Sequence, residues 1–439
     1  MRPLPVAPDP TDAVAGWRRA SVLYVLSFVP TYVEWELAEL VRRGVRIRVV
    51  LPGAWSRAAM WDRIRDGADG GGAVVHTADF HQWLAQPAHG LVRRAARLMA
   101  RRLRHHPRRT VRLAARCVRD GTVRHLLAAI WLTEVLGEHA MAGVHSHFAT
   151  DAAVIAALFA ELIDVPFSVS THANDIFVPR APRRLPRLLA RASCVFTISE
   201  FNRAHLTRVA PCSRRQIRML HLGIDSDILP RWSPPTDIFT VTCTASGLGK
   251  KKGVAVLLEA CRLLTMRGVR FRCQICGSDP DGRRLAELRQ RIVELKLVDQ
   301  VTLLGIVPWR ALQSLVARSN VFVLPCIGTP DGDMDGIPVS LIEAMGIGVP
   351  VVSSRLSGIP ELVEDGGTGL LTAPGDADGL TNAILRVLRE PALARLLGDH
   401  GRRRVRDAFG LSRYVDGLLD AWSERGWDVR PSHRRFRRP

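Results

Sequence analysis

The string DGDMDGIPVSLIEAM, residues 331–345, sets two carboxylates eight positions apart, Asp335 and Glu343. Ionised carboxylates only accept hydrogen bonds, and each can grip a pair of hydroxyls such as a sugar presents. Between them, Pro338 is expected to open a helix, where its missing N–H costs nothing. The turn at Gly336 and Ile337 and the helix start at Val339 then offer backbone N–H groups at the positive end of a helix dipole, which suits a diphosphate. Acidic residues at a helix start serve equally as caps, and residue types alone leave the two readings level. A lysine run, Lys250, Lys251 and Lys252, precedes Gly253 and an apolar helix. An isolated lysine cluster is usually a solvated face. A strand before this one and a helix after it place it at the same cleft. Cys273 and Cys276 have the spacing of a redox or zinc pair, but they fall in VRFRCQICGS, a strand, where residues three apart point to opposite faces. The expectation is buried thiols, with no metal site.

These residues need elements to hold them, and the chain supplies a regular alternation. SVLYVLS reads as a strand, TYVEWELAELVRRG as a helix ending at Gly44, and VRIRVVLPG as the next strand. The rhythm signals a parallel, doubly wound sheet. A helical insertion at about 82–132 interrupts it. There Val92, Ala96, Met99 and Leu103 share one helical face, Arg93, Arg97, Arg101, Arg104 and Arg108 lie broadly opposite, and Pro107 ends or kinks the helix. The three-proline segment ILPRWSPPTDI reads as a linker. Beyond it, FTVTCTAS, VRFRCQICG, VTLLGIV, VFVLPCIG and VPVVSS are strands of a second doubly wound domain. The reading is a lead-in at 1–19 without order, an N-terminal domain at 20–230, a C-terminal domain at 236–405, a crossover helix at 406–428 and a basic tail at 429–439. Two such sheets place a cleft between the C-terminal ends of their strands, where ligands bind in open α/β sheets.

The 439 residues carry 62 Lys and Arg against 42 Asp and Glu, a net charge of +20. That excess favours anionic partners. Aromatic residues are only 6%, and no basic run is interleaved with them, which argues against nucleic acid. From Leu91 to Arg119 there is no acidic residue. The basic face is therefore either solvated or an interfacial helix on anionic lipid, with the two readings even. Eight scattered cysteines, mostly inside apolar runs, suit a reducing compartment. The longest apolar stretches, such as Ala152 to Ala160, fall short of the about 20 residues that span a bilayer. The Pro-rich start has no apolar core of a secretory signal.

Taken whole, DGDMDGIPVSLIEAM resembles the Glu-x7-Glu motif of the family 4 glycosyltransferases, and SSRLSGIPELVEDGGTGLL the segment that follows it. HSHFATDAA, THANDIF, TISEFNRAHL and HLGIDSDIL resemble motifs of the branch that makes colanic acid and similar bacterial exopolysaccharides. The resemblance runs over nearly the whole chain from about residue 20. It implies a GT-B fold, two Rossmann-like α/β domains facing across a cleft. It implies a UDP- or GDP-linked sugar as cosubstrate, transfer with retention of configuration, and neither cofactor nor metal. By the same resemblance Glu343 binds the ribose hydroxyls and Asp335 the donor sugar. Gly336, Ile337, Pro338 and Val339 line the donor site, Lys252 with Lys251 neutralises the diphosphate, and His172 positions the sugar from the N-terminal domain. The base contacts backbone near Gly305, Ile306 and Val307. The acceptor is a polysaccharide or polyprenyl-diphosphate-linked glycan, met in the cytoplasm at the inner face of the plasma membrane, with Arg93 to Arg108 on anionic lipid.

Two departures stand out. The family carries Gly-Arg-Leu before the lysine loop, where this chain has Ser246-Gly247-Leu248. A guanidinium can clamp phosphate bidentately, and neither Gly247 nor a neighbouring lysine reproduces that geometry. Asp335 stands where the family has its first Glu and is one methylene shorter. The alternative is thus a catalytically weak or non-catalytic protein that binds sugar nucleotides or glycans.

Overall fold

Short apolar runs alternating with helices leave each strand to reach its neighbour by a crossover, which makes the strands parallel. The computed structural model describes residues 21–51, 73–77, 88–136, 141–178, 182–277, 279 and 282–429, and among them every strand pairing is parallel. The first sheet comprises β1 (Ser21–Val25), β2 (Ile47–Leu51), β3 (Ala73–Thr77), β4 (Met141–His147), β5 (Phe167–Thr171), β6 (Cys194–Thr197) and β7 (Ile217–Met219), in the order β3-β2-β1-β4-β5-β6-β7. The second comprises β8 (Phe239–Thr244), β9 (Phe271–Cys276), β10 (Val301–Gly305), β11 (Val321–Leu324), β12 (Val351–Ser354) and β13 (Leu370–Thr372), in the order β10-β9-β8-β11-β12-β13. Both orders reverse beside their first strand, between β1 and β4 and between β8 and β11. Crevices for ligands open at such points, at the strands' C-terminal ends. The residues that follow β8 and β11 are the lysine run and the segment leading to Asp335.

The central strands are buried on both faces, as parallel sheets require. Val22, Leu23 and Tyr24 of β1 and Val321, Phe322 and Val323 of β11 are wholly inaccessible. The helix Val339–Ile347 buries nearly its whole length, Leu341 to Ile347, because it lies beneath the helix Pro391–Ala408 and beside the sheet. Of the predicted linker, residues 228–238, Ile228 ends a short 3-10 turn and the rest carries no regular element but is anchored. Trp232 donates from its indole to the carbonyl of Ser319 and from its backbone to that of Ile347.

The chain ends by returning to the first domain. The helix Leu411–Glu424 packs on the helix Thr31–Arg42, and its Tyr414, Val415, Leu418 and Trp422 join the core formed by Val22, Tyr24, Val33 and Leu37. Trp422 is fully buried, stacks on Trp427 with ring centroids 4.8 Å apart, and donates from its indole to Ser168 Oγ at 2.9 Å.

Three helices, Ala88–His105, Pro107–Asp120 and Val123–Leu136, occupy the predicted insertion, and the break falls at His106–Pro107. The expected apolar face of the first helix is corrected here. Met99 is half-buried against the core, while Ala96 and Leu103 are exposed. The reason is that this helix rests mainly on the two that follow it, and Leu113, Cys117, Leu126 and Ile130 of those two meet the domain core. Arg109 and Arg116 pair with Asp164 and Glu161, which tie the second helix to the helix Asp151–Ile163. The expectations for 1–19 and for 430–439 lie outside the described residues, as does the side chain of Arg93. No described helix is long and apolar enough to cross a membrane. Cys117, Cys194, Cys243, Cys261, Cys273, Cys276 and Cys326 are free and buried.

If the returning helix is an integral wall of the first domain, Trp422→Ala should destabilise the protein by about 3–5 kcal/mol, the usual cost of deleting a buried large aromatic. Urea denaturation followed by circular dichroism reads this. An unchanged midpoint would mark the helix as a passive appendage.

Candidate donor site at the domain interface

The lysine run lies where it does because of one glycine. Gly253 has φ +68° and sits so close to the end of β11 that a Cβ would come within 1.7 Å of the carbonyl oxygen of Pro325. Only glycine meets both demands. With the turn seated there, Ile327 donates its backbone N–H to the carbonyl of Lys251 at 2.9 Å, which joins the loops after β8 and β11. Lys252 Nζ then reaches Asp335 Oδ2 at 2.8 Å, and Lys251 Nζ lies 3.1 Å from Asp333 Oδ1 and 3.8 Å from Asp335 Oδ1. Burial alone would lower the Lys252 pKa, but the Asp335 carboxylate outweighs it and holds the ammonium above its ordinary value. Cys326, also buried, points its Sγ at Asp335 Oδ2 from 3.5 Å.

Asp335 and Glu343 are both buried, at opposite ends of the same short segment. Pro338 is the residue just before the first helical position, one place earlier than the sequence suggested, with extended ψ of 127°. The amide N–H groups of Gly336, Ile337, Val339 and Ser340 find no acceptor among the described residues, as is usual for a helix start. Glu343, on the second turn, accepts the indole N–H of Trp309 at 2.8 Å. Burial pushes its carboxyl pKa up, and hydrogen bonds from Trp309 and Gln313 oppose the shift. Ile306 follows β10 and is 80% exposed. Gly247 has φ +73° with open space around it.

Gly336 is where the two domains meet. A Cβ there would come within 3.0 Å of the carbonyl oxygen of His172 and 2.9 Å of Ile198 Cδ1. His172 follows β5, and its backbone is fixed from both sides. Asn202 Nδ2 donates to its carbonyl at 2.5 Å, and its N–H donates to Asp175 Oδ1 at 3.1 Å. Asp175 also accepts the amides of Ala149 and Ala173, so the segments after β4 and β5 share one carboxylate. Across the same boundary Glu361 accepts the N–H groups of Glu200 and Phe201, at 2.9 and 3.0 Å, and caps the helix Glu200–Val209 from the other domain. The site therefore gathers Asp335, Lys252, Lys251, the free amides and His172 at one junction. Glu343 and Ile306 extend it along the second domain toward Trp309.

Beneath His172 lies a buried network that the sequence reading passed over. His172 Nε2 is 3.1 Å from His147 Nδ1, and His147 Nε2 is 3.1 Å from Glu36 Oε2. Glu36 also accepts the hydroxyls of Tyr24 at 2.5 Å and Tyr414 at 2.8 Å. Burial would raise the Glu36 pKa, but His147, His145 and the Tyr24 hydroxyl hold it at about 2. Burial, helped by neighbouring His147, drives His145 down to about 3 and His172 well below the ordinary histidine value. Ligand atoms of Glu36, His145 and His147 come within 4.8 Å of one another, as a metal would ask. They are, however, engaged in hydrogen bonds, those of His145 with Ser168 and Ser170. One signal pointed here: Glu36 is a carboxylate on the apolar face of an amphipathic helix, beside Val33, Leu37 and Leu40.

With this geometry in hand, the comparisons are direct. Residues 236–404 match the model of glycosyl transferases group 1, and residues 70–228 match Glycosyltransferase Family 4. The chain is 37% identical over 206 residues to a putative colanic acid biosynthesis glycosyltransferase, WcaL, of Escherichia coli (strain K12), covering 45% of this chain and 48% of that protein. It is 36% identical to the amylovoran biosynthesis glycosyltransferase AmsK of Erwinia amylovora over 46% of this chain and 49% of that protein. These matches thus span about half the length of the curated relatives. A GDP-mannose-dependent alpha-(1-6)-phosphatidylinositol monomannoside mannosyltransferase of Mycolicibacterium smegmatis is 28% identical over 63% of this chain and 75% of its own. Among solved structures, sucrose-phosphate synthase of Thermosynechococcus elongatus superposes with a TM-score of 0.71 at 18% identity, covering 92% of this chain and 99% of that one. Anabaena HepE in complex with UDP-glucose gives 0.67 at 18%, covering 92% and 100%. At such identities the likeness is one of fold. Two parallel-sheet domains that meet at one junction give this chain the GT-B fold, its N-terminal part matching the model of Glycosyltransferase Family 4 and its C-terminal part that of glycosyl transferases group 1.

Proposed function

We propose that the chain transfers a sugar from a UDP- or GDP-sugar to a polysaccharide or lipid-linked glycan, with retention of configuration and without a metal ion. The observation that carries this is the junction at Gly336. There a lysine–carboxylate pair and unsatisfied helix-start amides from one domain meet the His172 backbone of the other. Lys252, Lys251 and the amides of Gly336, Ile337 and Val339 are the groups to take a diphosphate. Their positive charge and dipole supply what a divalent cation supplies elsewhere. Asp335 and His172 address the donor sugar. Glu343, held by Trp309, accepts the ribose hydroxyls, and the backbone near Ile306 faces the base. Glu343→Ala should lower kcat/KM by about 100-fold or more, the worth of two charge-assisted hydrogen bonds of about 1.5–3 kcal/mol each. A panel of UDP- and GDP-sugars, scored by nucleotide release and by thermal shift, reads this. Unchanged turnover in that variant would sink the assignment of the donor site.

A second reading, a slow or non-catalytic nucleotide-sugar binder, is favoured by Gly247. The left-handed backbone there has room for a side chain but disfavours one, by roughly 1–2 kcal/mol. Gly247→Arg tests it. For an active enzyme whose lysines carry the diphosphate, kcat should change by less than about 3-fold. A gain near 100-fold, the size of a restored electrostatic contact, would identify a crippled site.

The acceptor side is proposed to meet anionic lipid. Arg97, Arg101, Arg104, Arg108, Arg112 and Arg119 are exposed on adjoining helices, and Leu103, Val111 and Val118 stand exposed among them. Apolar side chains set among arginines suit an interfacial surface. Reversing Arg97, Arg101, Arg104 and Arg108 to Glu should cut sedimentation with phosphatidylglycerol vesicles by more than about 100-fold at about 1 kcal/mol per charge. Equal binding would count against this surface.

A further inference from the structure

An ionised carboxylate can only accept hydrogen bonds. Glu36 is such a group, buried and held ionised, and its Oε2 lies 3.1 Å from His147 Nε2. The proton of that bond therefore sits on His147 Nε2. With His147 neutral, a ring protonated at Nε2 has Nδ1 as its acceptor, so His147 Nδ1 carries a lone pair. The ring nitrogen 3.1 Å from it, His172 Nε2, must then be the donor. That leaves His172 Nδ1 unprotonated, with the Tyr32 hydroxyl 3.4 Å away as its neighbour. Burial keeps His172 neutral, and the assignment requires a neutral His147 as well, because a cationic ring there would donate from Nδ1 and reverse it.

The rings are also held in place. His172 stacks on His147 with centroids 5.4 Å apart at 25°, and Phe148 and Tyr32 lie against it at 4.3 and 5.3 Å. The Glu36 carboxylate is fixed in turn by Tyr24 from β1 and Tyr414 from the returning helix. Each contact holds its ring or carboxylate in one orientation.

We propose that Glu36 and His147 are positioning residues that lock His172 in its Nε2–H tautomer, so that Nδ1 presents a lone pair to a hydroxyl in the cleft. The proposal rests on the assignment of His172 to the donor site. The logic is that of other carboxylate–imidazole pairs, where the carboxylate sets which nitrogen is free to work.

Glu36→Gln separates positioning from packing. It keeps the shape but replaces an obligate acceptor with a group that can also donate, so the tautomer is no longer dictated. The first readout is the 15N spectrum of labelled histidine, with His172 assigned by its loss in His172→Gln. The native protein should show His172 Nδ1 unprotonated, and Glu36→Gln should move it toward the protonated position. The second readout is release of UDP from UDP-glucose and of GDP from GDP-mannose. There kcat should fall by about 10–100-fold, the usual cost of removing a partner that orients a working imidazole, with KM within about 3-fold. Leu418→Ala is the companion variant. It thins the core on the same returning helix without removing any hydrogen bond of the network, so it should lower the urea midpoint yet keep the native tautomer, with kcat within about 2-fold. Protonated Nδ1 in the native protein would overturn the proposal. So would an unmoved tautomer in Glu36→Gln, or an equal loss of kcat in Leu418→Ala. If the native protein turns over neither nucleotide sugar, the proposed transfer from these donors fails, and the histidine spectrum still decides the tautomer.

Discussion

A carboxylate with no water around it must be surrounded by donors or pay several kcal/mol for the burial. Glu36 meets that demand with two tyrosine hydroxyls and an imidazole, drawn from β1, from β4 and from the last helix of the chain. The helix Thr31–Arg42 therefore has one rotation in which Glu36 is satisfied, and that rotation brings Trp35 against Trp309 of the second domain, 5.5 Å between rings. It also sets the height of His147 and hence of His172 beneath the cleft. A single buried charge thus orders the contact between the domains as well as the floor of the site.

The second domain works by a complementary rule. Its polar groups are gathered at the ends of β8 and β11, where the sheet order reverses. Lys252 is half-buried and keeps its charge because Asp335 lies beside it. The two halves are held in register by contacts that only close approach permits, Gly336 on the carbonyl of His172 and Glu361 on the helix Glu200–Val209. His172 stands on one side of this junction and Lys252 with Asp335 on the other.

Much of this was legible in the sequence, and the reasons are specific. Strands buried on both faces write themselves as apolar runs, so β1, β11 and β12 could be read directly, and β2 and β8 to β10 stood out as short apolar-rich runs between helices. β3 and β13 could not: AVVHT follows a glycine tract, and Leu370–Thr372 is three residues long. The junction residues Asp335, Gly336 and Glu343 were visible because their spacing resembles a family motif. Glu36 and His147 were not, because their partners lie 111 residues apart and a network is a property of the fold, not of any one segment. The apolar face expected of Ala88–His105 failed for a related reason. Periodicity tells which side of a helix is apolar but not what will be there to cover it, and here other helices took the place of the sheet.

The returning helix has a consequence for how the molecule is made. Synthesis delivers the first domain's strands well before residues 411–429, yet Tyr414, Leu418, Trp422 and Trp427 belong to that domain's core. Until they arrive, the side of the sheet around Val22, Tyr24 and Phe196 lacks its cover, and the Glu36 carboxylate lacks the Tyr414 hydroxyl. Domains of a growing chain usually close in order from the N-terminus. Here the first domain to be started is the last to be finished. Its completion waits for the second domain to be synthesised, so the first core closes only after residues 411–429 have followed.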